Sequence, residues 1–102
     1  DLVGIFGIND PCALGAWASV KEAGKLDQIT IIGFDGSPDG KIGVFEKQLY
    51  DTPMQFPRQM ATKTVENFLK YVAGEPFEAL EFMPCEHYYF ADAEKDPNRT
   101  QF

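Results

Sequence analysis

The sequence predicts an α/β fold in which parallel strands alternate with helices, and three observations support this. Residues 2–6 and 29–34 are short, almost continuously apolar runs, which are typical of parallel strands buried on both faces. A helical pattern lies between them at residues 11–23, and a longer one follows at residues 57–73. The order of strand, helix and strand is the repeating unit of a parallel sheet.

The first two helices are predicted from their ends as well as from their apolar spacing. In residues 11–23 the apolar positions recur at helical intervals, and Gly24 follows where a left-handed C-terminal residue is common. Ser37 and Pro38 are a favourable cap and first residue for a second helix, which we expect to run to about Lys47.

The remaining chain is predicted to contain one clear helix and then extended or polar segments. Residues 57–73 carry one apolar stripe with charged residues opposite, and Gly74 ends the pattern. Residues 79–90 read as an extended segment interrupted by Pro84, which suits an edge strand or a crossing between domains. Residues 91–102 are polar, and we expect this tail to be solvated.

Composition limits the classes of function. The chain has 102 residues, which allows at most one domain or a piece of one, and 44% of them are hydrophobic, which is enough for a core. Its net charge of -7 repels phosphate backbones, so no nucleic acid partner is expected. No apolar run approaches the roughly 20 residues that cross a bilayer, so no membrane insertion is expected. The first residues lack the pattern of a secretion signal, which leaves a cytosolic, a processed or a truncated chain open.

Polar side chains follow both predicted strands and precede the third helix. Asn9 and Asp10 come after the first strand, Asp35 comes directly after the second, and Gln55 stands just before residue 57. Ligands of open parallel sheets bind at the carboxyl ends of the strands, so we expect Asn9, Asp35 and Gln55 to form a site. Asp10 is expected to cap its helix, and Asp10 and Phe6 are candidates for positions adjacent to the ligand.

Amide and carboxylate groups hydrogen-bond in pairs with fixed geometry, which suits a neutral ligand with several neighbouring hydroxyls, such as a sugar. Two simpler interpretations remain open at this point. In the first, Asn9 is a loop residue whose side chain only hydrogen-bonds to nearby backbone groups. In the second, Asp35 only forms a turn with Gly36.

An enzyme is a lower alternative. Cys12 lies near a predicted helix N-terminus, where a thiol is activated, and His87 is the sole histidine that could act as its base. Cys85 and His87 could share a metal ion, but a structural site needs about four ligands and no others cluster. We therefore expect no catalytic residue, no metal and no cofactor, and we expect both cysteines to be free thiols.

Three stretches carry a resemblance to a known family: GINDPCALGAWASVKEAGK, ITIIGFDGSPDGK and DTPMQFPRQM. They resemble the second half of periplasmic sugar-binding proteins of the ribose-binding type, the type I solute-binding proteins of ABC importers. The shared motifs are ND before an ALGA helix, a strand ending in GFDG, and Gln-x-Pro opening the next helix. The resemblance covers about residues 1–90.

The resemblance implies an incomplete α/β lobe with a parallel, Rossmann-like sheet, from a fold of two lobes that close on a ligand. Residues 1–55 would carry the strand-helix-strand portion of the second lobe with its ligand loops. Residues 56–83 would pack on the first lobe, which is mostly absent, and residues 84–102 would form the final crossing and a polar tail.

The resemblance also implies a function. The protein would capture a monosaccharide or similar polyol in the periplasm or outside the cell, and would present it to the membrane permease of an ABC importer. Asn9, Asp35 and Gln55 match positions that hydrogen-bond sugar hydroxyls in that family. The effector domain of a LacI-like transcriptional repressor has the same fold and similar motifs, and it remains the alternative.

Overall fold

The computed structural model describes all residues, 1–102. The chain divides into two compact units, Asp1–Gln55 with Glu86–Phe102, and Phe56–Cys85. The elements in chain order are β1 (Gly4–Phe6), α1 (Asp10–Glu22), β2 (Thr30–Ile32), α2 (Pro38–Phe45), α3 (Pro57–Ala73) and α4 (Phe90–Lys95). No helix combines the length and the apolar character that a membrane crossing requires.

The two strands form a parallel pair, as the apolar runs predict. The pairs in register are Gly4 with Thr30, Ile5 with Ile31, and Phe6 with Ile32. The strands are not buried on both faces, which corrects the expectation from their composition: only Ile5 in β1 is partly covered. In the first unit α1 is the only helix that packs against the two strands, so only one face of the strand pair is covered by a helix.

Residues 50–55 extend the sheet beyond β2 without forming a regular strand. Asp51 forms a parallel bridge with Ile32, and Met54 forms an antiparallel bridge with Glu86. The predicted extended segment around Pro84 therefore reaches the sheet through Glu86. Because β1, β2 and residues 50–55 run parallel, all three segments end at the same edge of the sheet, the carboxyl edge.

The core of the first unit lies between the sheet and the helices. α1 and α2 pack against each other, and α4 packs on α2. The buried hydrophobic residues are Ala13, Val20, Ile31, Val44, Leu49, Tyr88 and Ala93. Burial of such side chains is the main contribution to stability, at about 1.5–3 kcal/mol for a large one.

Most residues of the C-terminal tail are exposed, as its polar composition predicts, but the tail also forms a short helix that packs on the core. Residues of the tail form α4, and Ala93 on this helix is completely buried. The end of the chain is also attached, because Lys41 Nζ donates to the backbone oxygen of Gln101 at 2.8 Å. Phe90 and Ala93 are three residues apart, so they share one face of α4. Phe90 stacks on Phe45 of α2, with ring centroids 6.2 Å apart.

The second unit consists of α3 and the extended chain after it. The helix runs from Pro57 to Ala73 and is ended by Gly74, as predicted; the φ of 70° at Gly74 is the left-handed conformation common at this position. Lys63 forms an ion pair of 3.4 Å with Glu81 within this unit. The apolar stripe of α3 is exposed, as Phe68 illustrates at 61%.

Candidate functional site

Asn9, rather than Asp10, caps α1. The Asn9 backbone is extended, with φ of -151°, and its Oδ1 accepts a hydrogen bond of 2.9 Å from the backbone N–H of Cys12. This is the bond that an N-cap side chain makes to the third helical residue. The expectation that Asp10 is the cap is therefore wrong. Asp10 is instead the first residue of the helix, and Pro11 is the second, where its missing N–H also costs nothing.

Asp10 is completely buried, and its carboxylate joins three segments of the first unit. Oδ2 accepts hydrogen bonds from the backbone N–H of Ser37 at 2.8 Å and from Ser37 Oγ at 2.7 Å. Oδ1 accepts a bond of 2.5 Å from Thr52 Oγ1. The start of α1 is thus fastened to the start of α2 and to the third stretch of the sheet.

Asp35 lies at the carboxyl edge in an unusual backbone conformation. Its φ is 110°, and Gly36 follows with φ of 66°. A non-glycine residue rarely adopts a positive φ, and such strain of about 1–3 kcal/mol is concentrated at functional sites. The backbone is held there by two hydrogen bonds, from Asp35 N to Pro53 O at 3.0 Å and from Gln55 N to Asp35 O at 3.1 Å.

Gln55 meets Asp35, as their positions beside the predicted sheet edge suggest. Gln55 Nε2 donates a hydrogen bond of 2.6 Å to Asp35 Oδ1. Both side chains are partly exposed, so a ligand in solution can reach them. Asn9 forms no hydrogen bond with this pair, since its Oδ1 accepts from Cys12. It is linked to it through its neighbour Asp10, whose carboxylate holds Ser37, two residues after Asp35.

Two aromatic rings stand at the same edge of the sheet. Phe6 ends β1, and Phe34 precedes Asp35; their ring centroids are 6.2 Å apart in an edge-to-face arrangement. Phe6 is 63% exposed. An exposed ring beside a carboxylate and amides offers the mixture of apolar and polar contacts that a sugar needs.

The cysteines and the histidine of the enzyme alternative do not form a thiol–imidazole pair: His87 pairs with Asp51. Cys12 and Cys85 are exposed free thiols. His87 pairs with a carboxylate instead, since its Nδ1 lies 2.5 Å from Asp51 Oδ2, and its ring stacks on Tyr89. Asp51 also accepts a bond from the backbone N–H of Tyr88. The histidine therefore serves the attachment of the C-terminal segment to the sheet.

The Asp10 network is the part of this region that sequence reasoning missed. The sequence indicates Ser37 only as a cap, a role that the structure confirms through the 3.1 Å hydrogen bond from Gly40 N–H to Ser37 Oγ. No sequence motif marks Thr52, because its hydroxyl donates to a residue 42 positions away, Asp10, and the two meet only in the folded chain. The adjacent pair Asn9 and Asp10 was the available signal, since one helix needs only one cap.

Comparison with known proteins finds homologues of this chain. No family model matches it. The ribose import binding protein RbsB of Escherichia coli (strain K12) is 40% identical over 79 residues, covering 78% of this chain and 26% of the relative. The D-apiose import binding protein of Paraburkholderia graminis is 36% identical over 84 residues, covering 78% of this chain and 27% of the relative. The chain is therefore homologous to part of the ribose and apiose import binding proteins.

A solved structure agrees with this assignment. An ABC transporter solute-binding protein from Agrobacterium vitis with bound D-fucose superposes with a TM-score of 0.78 at 33% identity, over 99% of this chain and 35% of that one. The expected incomplete α/β lobe of a periplasmic binding protein is thereby confirmed. The chain spans about a quarter of the curated ribose-type relatives, which are binding proteins and not enzymes.

Proposed function

We propose that this chain belongs to the sugar-binding component of an ABC importer and supplies one side of its ligand site. The observation that carries the proposal is the hydrogen-bonded pair of Asp35 and Gln55 at the carboxyl edge of the sheet. The names of the ribose and apiose import relatives support a monosaccharide or similar polyol as ligand. They also favour an import protein over the repressor alternative.

The three polar side chains have complementary capacities for hydroxyl groups. Asp35 accepts, and a carboxylate can accept from two sugar hydroxyls at once. Gln55 uses one N–H on Asp35 and keeps its other N–H and its Oε1 for the ligand. Asn9 uses Oδ1 on Cys12, so its Nδ2 is the group that would donate to a sugar oxygen. The site would therefore offer both donors and acceptors to vicinal hydroxyls.

Capture would take place between two lobes, and the first lobe would lie mostly outside this chain. Closure around the sugar would exclude water and would create the shape that the permease recognises, as in other hinged binding proteins. The exposed apolar stripe of α3 supports a covering partner, because a large exposed apolar face is unfavourable in water. We place this protein in the periplasm, which agrees with the family of its relatives.

The test is isothermal titration calorimetry on the complete, two-lobed protein with D-ribose, D-apiose, D-allose, D-fucose and myo-inositol. We expect at least one of these to bind, and Asp35→Asn to weaken it about tenfold or more, because hydrogen bonds to a charged group contribute about 1.5–3 kcal/mol. Asp27→Asn removes an exposed carboxylate outside the site and is the matched control. Absence of binding to every sugar, or equal affinities in the two variants, would contradict the proposal.

A further inference from the structure

Asp10 and Thr52 are completely buried polar residues, and their hydrogen bonds reach the loops that carry the candidate sugar site. Both are 0% exposed. Burial of a carboxylate is costly unless hydrogen bonds compensate for it. Here Asp10 accepts from Ser37 N, Ser37 Oγ and Thr52 Oγ1, so its two oxygens are satisfied entirely by the protein.

The Asp10 carboxylate fits into space that exists because two neighbouring residues are glycines without a side chain. A Cβ atom at Gly33, just after β2, or at Gly40, in the first turn of α2, would overlap the Asp10 carboxylate. The side chain therefore fits between the end of a strand and the start of a helix. Since the N-termini of α1 and α2 both lie beside it, their partial positive charges favour its negative charge.

Each partner in the network is close in sequence to a sugar-site residue. Asp10 follows Asn9 directly, and Ser37 lies two residues after Asp35. Thr52 Oγ1 also accepts a 3.1 Å hydrogen bond from the backbone N–H of Gly36, the residue next to Asp35. Thr52 is three residues before Gln55. One buried cluster is thus attached to all three loops that carry the site.

We propose that Asp10 and Thr52 are positioning residues that fix the relative placement of Asn9, Asp35 and Gln55 without contacting the sugar. This inference rests on the proposed function. The strained backbone of Asp35 supplies the physical reason, because a residue at φ of 110° relaxes unless its surroundings hold it. The Thr52 bond to Gly36 N–H provides part of that restraint, and Asp10 orients the Thr52 hydroxyl that makes it.

The experiment compares Thr52→Val with Thr52→Ser in the complete protein. Valine has nearly the same shape as threonine but leaves Asp10 Oδ1 and the Gly36 N–H without this partner, whereas serine keeps the hydroxyl. Affinity is measured calorimetrically with D-ribose or, if D-ribose does not bind, with the sugar of the panel that binds the unmodified protein. We expect Thr52→Val to lose about tenfold in affinity or more, and Thr52→Ser to stay within about threefold.

Val44→Ala is the control for a general loss of stability. Val44 is completely buried in α2 and takes no part in the network, so its truncation destabilises the fold by leaving a cavity. We expect it to lower the Tm without changing the affinity of the folded protein. A loss of affinity equal to that of Thr52→Val would overturn the positioning role, and so would unchanged affinity in Thr52→Val.

Ser37→Ala keeps the test decisive if Thr52→Val does not fold. It removes one of the hydrogen bonds to Asp10 and the cap bond from Gly40 N–H, and it leaves the bond from Ser37 N–H to Asp10. We expect about a threefold loss of affinity or more, and no loss would overturn the proposal. Failure of the underlying function is distinguished by the unmodified protein, which would then bind none of the sugars.

Discussion

Gln55 is joined to Asp35 twice, by a side-chain hydrogen bond of 2.6 Å from Nε2 to Oδ1 and by a backbone hydrogen bond of 3.1 Å from its N–H to the Asp35 carbonyl. The two bonds fix the carboxylate and the amide relative to each other before any ligand arrives. Such preorganisation lowers the entropic cost of binding. The pair is therefore suited to hold a ligand by several short, directional bonds.

Asp35→Gly should separate the role of the side chain from that of the turn. Glycine accepts a φ of 110° without strain, so we expect the ligand-free protein to have an equal or higher Tm, while sugar affinity falls about tenfold or more. Asp35→Ala removes the same carboxylate but keeps the strain, and it should have the lower Tm of the two. Thermal unfolding and calorimetry on both variants provide the comparison. Intact affinity in Asp35→Gly would reduce Asp35 to a turn residue.

Asn9 caps α1 and is also proposed to contact the ligand, and two substitutions should separate these two roles. Asn9→Ala removes both functions, so we expect it to lower the free energy of unfolding by about 1 kcal/mol and to weaken sugar binding. Asn9→Ser keeps a cap oxygen but lacks the amide, so stability should be close to that of the unmodified protein while binding remains weak. Urea unfolding measures the first quantity. Full binding by Asn9→Ser would show that the amide does not contact the sugar.

Attachment of the C-terminal segment should depend on pH through Asp96. Burial by itself would raise the pKa of Asp96, but hydrogen bonds from the Asn98 N–H and Tyr88 OH, with the nearby charges of Lys41 and Arg99, lower it below its ordinary value. A depressed carboxyl pKa stabilises the fold above the unfolded pKa of about 3.9, and this contribution is lost as the pH falls through the folded pKa.

The comparison is therefore between the unmodified chain and Asp96→Asn. The unmodified chain should have the higher Tm at pH 7, and the difference should shrink as the pH falls below about 4. Thermal unfolding followed by circular dichroism across this range measures it. A difference that is independent of pH would show that Asp96 stabilises the segment without its charge.

Both cysteines should react as free thiols, because Cys12 and Cys85 are exposed and unbridged. We expect a thiol reagent to titrate 2 thiols per chain under denaturing, non-reducing conditions. Cys85→Ser is the matched variant and should leave one. If no thiol reacts in the unmodified chain, the two residues are bridged and the structure of these segments needs revision.

The helices and strands could be predicted because their signals are local. The cap at Ser37 and the left-handed glycine at position 24 depend on neighbouring residues in the sequence, and the structure has both. The meeting of Asp35 and Gln55 could be anticipated for a different reason. Parallel strands bring their carboxyl ends to one edge, so the topology itself places these loops together.

The errors arose where distant contacts decide between equivalent local choices. Asn9 and Asp10 are both good N-caps, and Pro11 suits either the first or the second helical position. Only the folded chain shows that Ser37 and Thr52 take the carboxylate of Asp10, which leaves the cap to Asn9. The helix α4 was also not predicted, because its apolar face is short and is buried only by packing on α2, which is distant in sequence.

The most direct test of the central claim is a crystal structure of the complete protein with the bound sugar identified by calorimetry. We expect the Asp35 carboxylate to accept hydrogen bonds from two sugar hydroxyls at about 2.5–3.0 Å, with Gln55 on the same sugar and its bond to Asp35 retained. Asp10 and Thr52 should remain behind the loops without touching the ligand. A sugar bound elsewhere, or one whose hydroxyls reach neither Asp35 nor Gln55, would contradict the account.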